Sequence, residues 1–202
     1  MTEDPLHAKV YQQGQLMMSM NDLLGWFVHP DYKSGSLSRI SDLHVKVGRP
    51  VSFRIDDDLQ PLPEGSNVEP AAMETFLRAI LSEKHQAIVF GDESEDVDTG
   101  FEWREHSVNF RLNVFHDRDG LAFVMRMLSS DIPNIEGLGL PNEAIWREIV
   151  GLKRGLVLVT GVTGSGKSTT IAALINYINR SRKTRIITLE DPVEFIYQSQ
   201  ES

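Results

Sequence analysis

Leu156-Val157-Leu158-Val159-Thr160-Gly161-Val162-Thr163-Gly164-Ser165-Gly166-Lys167-Ser168 is the stretch on which the reading of this chain turns. From Gly161 to Ser168 it fits the pattern G-x-x-x-x-G-K-[ST], a phosphate-binding loop. The apolar, β-branched run before it predicts a strand buried on both faces of a parallel sheet. After it, Ile171, Leu174, Ile175 and Ile178 recur at helical spacing and predict one buried face of a helix. Strand, glycine loop and helix thus follow in the order that the loop's chemistry requires.

Glycines at 161, 164 and 166 permit backbone angles that side chains forbid, so the loop N–H groups can turn inward on an anion. The helix starting near Lys167 adds its free N–H groups and the positive end of its dipole. Lys167 suits the β- and γ-phosphates of a nucleotide, the Ser168 hydroxyl suits Mg²⁺, and Thr169 suits an inner phosphate. Gly161, Thr163, Gly164, Ser165, Gly166, Lys167, Ser168 and Thr169 are therefore the candidate nucleotide contacts. The plainer alternative is a glycine-rich turn with a solvated lysine.

Downstream, Arg185 to Leu189 predicts a second buried strand, which delivers Glu190-Asp191-Pro192 to its C-terminal end. Ligands of open α/β sheets sit at that end. Glu190 there either activates water beside a γ-phosphate or caps the turn before Pro192.

Upstream the pattern changes. Leu43, Val45 and Val47, then Val51, Phe53 and Ile55, alternate as strands, with Asp56-Asp57-Asp58 as a solvated hairpin tip. Pro70 opens a helix striped by Met73, Phe76, Leu77, Ile80 and Leu81. Residues 91–100 read as an acidic connector. Val108, Phe110, Leu112 and Val114 alternate into a turn at 116–120, and Leu121, Phe123, Met125 and Met127 alternate back. If that hairpin is symmetric about Arg118-Asp119, Arg111 and Arg126 face each other. Facing like charges are destabilising unless an anion lies between them or each finds its own carboxylate.

The expected organisation is an N-terminal extension over 1–40, an α+β domain over 41–128, a linker over 129–140 and the first part of an α/β domain over 141–202. Asn21-Asp22 predicts an N-cap for a short helix that ends at His29-Pro30.

Composition narrows the function classes. The 202 residues carry a net charge of −9, with 29 acids against 20 Lys and Arg, which argues against a nucleic-acid partner held by electrostatics. Cysteine is absent, which excludes disulfides and Cys-ligated zinc. The histidines are scattered without metal-ligand spacing. No apolar run approaches the ~20 residues of a membrane span, and the N-terminus lacks signal-peptide features, so the cytosol is the expected compartment.

Three stretches together resemble the hexameric secretion ATPases, nearest the PilT-like type IV pilus retraction ATPases of twitching motility, with the PilU-like branch. Ser41-Asp42-Leu43-His44 with Arg54-Ile55-Asp56 resembles the N-domain signature, Gly155 to Thr170 the Walker A segment, and Ile187 to Phe195 the acidic box. The resemblance implies a PAS-like N-domain followed by a RecA-like P-loop NTPase domain. It also implies ATP and Mg²⁺ as cofactors, a homohexamer, and partners in the inner-membrane machinery of the type IV pilus. By position it assigns phosphate and metal handling to Lys167 and Ser168, water activation to Glu190, and nucleotide sensing to Arg111 and Arg126.

The chain also departs from the family. Val162 stands where the loop more often has Pro, Asp57 where a Gly is usual in the turn, and Asp119 at the position of a further arginine. The Walker B strand does not occur before Ser202, which suggests a fragment or a truncated reading frame and predicts exposed apolar surface on the α/β part. The rivals are a pilus-extension or type II secretion ATPase, a non-hydrolysing nucleotide-binding module, and a P-loop kinase.

Overall fold

The chain divides into two units, Met1–Met127 and Leu128–Ser202. The computed structural model describes residues 4–34, 37–91, 95–128, 132–140, 143–162, 164–191 and 193–202.

In the first unit a short hairpin, β1 (Tyr11–Gln13) and β2 (Leu16–Met18), leads into α1 (Met20–Val28). A two-residue pair, β3 (Lys33–Ser34) and β4 (Leu37–Ser38), follows. Then come β5 (Ile40–Lys46), β6 (Ser52–Ile55), β7 (Asp58–Pro61), α2 (Pro70–Ile80) and α3 (Glu83–Val89). The unit closes with β8 (Val97–Trp103), β9 (Val108–Asp117) and β10 (Gly120–Met127). Six of these strands form one antiparallel sheet in the order β7-β6-β5-β10-β9-β8.

The period-2 pattern explains the sheet's two faces. Leu43, Val45, Phe53, Phe110, Leu112, Phe123 and Met125 are buried against α1 and α2, whose Leu23, Leu24, Phe27, Met73, Phe76 and Leu77 complete the core. Tyr11, Met18 and Met20 belong to that same core, so the stretch read as an extension packs with the sheet.

Local chemistry sets the boundaries. The N-cap of α1 is Ser19, not Asn21 or Asp22. Ser19 Oγ accepts from the Asp22 N–H at 3.2 Å while the Asp22 carboxylate accepts from the Ser19 N–H at 2.5 Å, a capping box. Pro70 opens α2 as its fixed φ allows. Asp56 (φ 48°) and Asp57 (φ 70°) make the left-handed turn between β6 and β7, and Asp56 is ion-paired with Arg39. The acidic connector is corrected from Val97 onward: that residue begins β8, an edge strand whose outward acids mask its alternation.

The second unit holds α4 (Glu143–Gly151) and α5 (Lys167–Ser181). Ile135, in a 3₁₀ turn over Ile135–Leu138, is buried with Trp146, Val150 and Ala173 in a small core that Leu174, Tyr177 and Ile178 flank. The two buried parallel strands expected over 156–160 and 185–189 are not formed among the described residues. Leu156 is 82% exposed, Leu158 74% and Leu189 96%. A parallel strand is stable only when neighbours take up its backbone groups and helices cover both faces; here neither segment pairs. The face of α5 shifts for the same reason. Without a sheet beneath it, Ile171 is exposed, Leu174 and Ile178 are half-buried against the small core, and Ala172, Ala173, Asn176 and Asn179 are the buried positions. Asn179 draws the last residues onto the helix, donating to Gln198 O at 2.8 Å and accepting from Ser202 Oγ at 2.6 Å.

Candidate functional site

The glycine loop ends where α5 begins. Gly166 is the N-cap at φ 86°, and Gly164 lies at φ 79°. A Cβ at either would meet nothing within 4 Å, so backbone angle alone demands glycine at both. Gly161, at φ 157°, is constrained twice, because a Cβ there would lie 2.7 Å from Ser165 Oγ. Three of the six positions before Lys167 thus carry no side chain.

Two contacts onto Val162 O hold the loop together. The Ser165 N–H donates to Val162 O at 3.3 Å, and the Lys167 ammonium donates to the same carbonyl at 2.9 Å. Gly166 offers no side-chain cap to α5, whose first intrahelical bond runs from the Thr170 N–H to Gly166 O at 2.8 Å. The N–H groups of the first turn therefore retain the positive character that favours anions. Thr163 lies outside the described residues.

Beside the loop is a cleft of about 380 Å³, and it joins the two expected centres of chemistry. Ser168 and Ile171 of α5 line one side, and Leu189, Glu190 and Asp191 another. Glu190 also accepts from the Glu194 N–H at 3.4 Å, so it caps a turn and faces the cleft at once. Tyr197, not singled out from sequence, lines this cleft too. Burial, and then the Glu190 charge, push its phenol up to about 12. Its only sequence signal was the pairing with Phe195 two residues earlier.

The arginines occupy the outward face of the six-stranded sheet. Arg111 on β9 and Arg126 on β10 are directly opposite, as hairpin symmetry predicts. Each has its own carboxylate. Arg111 makes a two-pronged pair with Asp98, with Nε donating at 3.1 Å and Nη2 at 2.6 Å. Arg126 Nε donates to Asp42 Oδ1 at 2.7 Å, and Arg54 Nε lies 3.4 Å from Asp42 Oδ2. Asp42 is buried between them. Burial pushes its carboxyl up, but hydrogen bonds from Arg126 and Ser41 outweigh that and hold it below the ordinary value. Asp98 escaped sequence reasoning because it falls in the stretch read as a connector; the alternation of Val97, Thr99 and Phe101 around it was the available sign.

Among the described residues, no group of three or more His, Cys, Asp and Glu is placed to hold a metal ion. Among them, too, no helix is long and apolar enough to cross a membrane.

Comparison with known proteins bears on this geometry. The family profile described as "Type II/IV secretion system protein" matches residues 29–201. The chain is 36% identical over 162 residues to the "Type IV pilus retractation ATPase PilT" of Pseudomonas aeruginosa, covering 79% of this chain and 44% of that one. It is 42% identical over 152 residues to a "Twitching motility protein" of Neisseria gonorrhoeae, covering 74% of this chain and 38% of that one. Among solved structures, "Crystal Structure of the Pilus Retraction Motor PilT and Bound ADP" aligns with a TM-score of 0.70 at 39% identity, covering 80% of this chain and 46% of that one. The chain therefore spans less than half the length of these relatives.

Proposed function

Because this chain belongs to the Type II/IV secretion system protein family, we propose that it is the nucleotide-binding part of a PilT-like ATPase that drives type IV pilus retraction. The observation that carries this reading is the shared cleft: the glycine loop and α5 bring Ser168, and residues 189–191 bring Glu190, to one concavity. The ADP named with the related motor supports nucleotide as the ligand.

In this reading the backbone N–H groups of Gly161, Thr163, Gly164, Ser165 and Gly166 turn to the phosphates, with Thr169 on an inner one. Lys167, already turned over the loop onto Val162 O, moves its ammonium to the β- and γ-oxygens. The Ser168 hydroxyl is a hard oxygen suited to Mg²⁺, which when bound neutralises phosphate charge. Glu190 orients and deprotonates the attacking water. Arg111 and Arg126 exchange their carboxylates for phosphate oxygens and so report nucleotide state. The working protein is a cytoplasmic homohexamer on the inner-membrane pilus machinery.

Titration of Mg·ATP into the chain tests the reading. Lys167→Ala removes a charge-assisted contact and should weaken binding by about 10- to 100-fold. Glu190→Gln should leave affinity within about threefold and cut phosphate release by about 100-fold or more. Unaltered affinity in Lys167→Ala would overturn the assignment. Binding without phosphate release by the parent chain would favour a non-hydrolysing module.

A further inference from the structure

A second concavity, of about 480 Å³, lies wholly within the first unit, along α1 and the residues that follow it. Its accessible walls are aromatic, Trp26, Tyr32 and the imidazole of His106, with the buried Trp103 as the floor behind His106. These rings are held in place before any ligand arrives. Trp26 stacks on Phe53 with ring centroids 5.4 Å apart, and Tyr32 lies 5.3 Å from Trp26. Trp103 is fixed by its Nε1–H, which donates to Asn21 Oδ1 at 2.8 Å, and His106 lies 4.0 Å from its ring.

The charged groups lining this cleft are acidic, Asp22 and Asp31, with His29 and His106 the other ionisable side chains there apart from Tyr32. Asp22 is shared with Lys9, 2.5 Å away. Burial pushes the Asp22 carboxyl up, but the bonds from Lys9 and Ser19 win and keep it ionised. Asp31 has no such lysine. Its nearest ionisable neighbour is His29, whose Nδ1 accepts from the Asp31 N–H at 3.3 Å and lies 3.5 Å from Asp31 Oδ2. The surrounding field has the same sign. The first unit contains 21 Asp and Glu against 12 Lys and Arg, whereas the second contains 8 of each, so the whole net charge of −9 belongs to the unit with the cleft.

Gly25 supplies an independent sign that the space is used. It sits in the interior of α1, where glycine costs roughly 1 kcal/mol against alanine. Its φ is not positive, and a Cβ on it would meet nothing within 4 Å. Neither backbone geometry nor close packing requires glycine here. Gly25 does line the cleft, one helical turn from Asp22 and from His29, and any side chain at this position would project into that open space.

We infer that this cleft is a binding site for a planar cation, the guanidinium group of an arginine or a small arginine-like molecule. Aromatic faces attract such a cation through their quadrupole, a guanidinium stacks on them as an ammonium does not, and a carboxylate at the rim accepts its fork of N–H groups. The same carboxylates repel phosphates, which separates this site from the nucleotide cleft.

Indole N–H resonances of the full chain provide the test, because Trp26 and Trp103 line the cleft and Trp146 lies in the other unit. N-acetyl-arginine amide should shift the Trp26 and Trp103 signals saturably and leave Trp146 in place. The neutral isostere N-acetyl-citrulline amide should bind at least about tenfold more weakly, the loss expected when a desolvated cation–π contact disappears. Gly25→Leu should abolish the shift while leaving the melting temperature equal or higher. Asp31→Asn, at an exposed position, should weaken it about three- to tenfold. A short peptide carrying one arginine between neutral residues separates the sources: tighter binding than the amide assigns the guanidinium to a partner protein, and equal binding assigns it to a free small cation. A linear drift without saturation, equal response to citrulline, or full binding in Gly25→Leu would overturn the inference.

Discussion

His44 is the residue on which acid should act first. It stands two positions from Asp42 on β5, on the same outward face, and its Nε2 is buried with no hydrogen-bond partner. Burial pushes its imidazole below the ordinary value, against the pull of Asp42, and Arg54 and Arg126 add to the downward push. The unfolded chain takes up that proton near pH ~6.5 while the folded chain does not, so stability declines as pH falls through that region. Asp22 and Asp42 act in a lower window. Their folded values are depressed, so their contribution is complete above about pH 4 and is lost as pH falls through those values. The urea midpoint should therefore fall between pH 7 and 5.5, and His44→Gln should flatten that slope; an unchanged slope in the variant would remove His44 from the account. Sequence alone placed Arg111 against Arg126, because hairpin symmetry is a local property. It could not find Asp42 as the counter-ion of Arg126, because that pairing depends on β5 lying next to β10, a contact between distant segments.

At the level of elements, local signals were legible and long-range ones were not. The glycine loop, the start of α2, the β9–β10 turn and its register all follow from neighbouring residues. The start of α5 rests on Gly166, whose left-handed angle an alanine tolerates only at a cost of about 1–2 kcal/mol. Gly166→Ala should accordingly speed hydrogen exchange throughout α5 without creating a clash, and Ser19→Ala should cost about 1 kcal/mol on α1 alone. Exchange rates in α5 identical to those of the parent would contradict the first expectation. The buried face of α5 was misread because Ile171 and Ile175 fit a helix packed on a sheet, whereas the second unit packs that helix on α4 and the Ile135–Leu138 turn. Periodicity finds an apolar stripe but not the surface that covers it.

Across the molecule the two units differ in kind. The first has a continuous core running from Tyr11 to Met125 under a six-stranded sheet; the second buries a handful of side chains around Trp146. Amide exchange followed by mass spectrometry should show strong protection in β5, β9 and β10 and almost none over 156–160 and 185–189. Protection of those two segments in the isolated chain would mean that they pair after all. The contrast has a practical side. Leu156, Leu158, Ile187 and Leu189 stand in water on stretches whose main-chain groups join no sheet. Such stretches offer themselves as templates to any passing strand, including one from another copy. In purified form the polypeptide would be colloidally restless, coming out of solution as it is concentrated or warmed, while its acidic half stays well behaved.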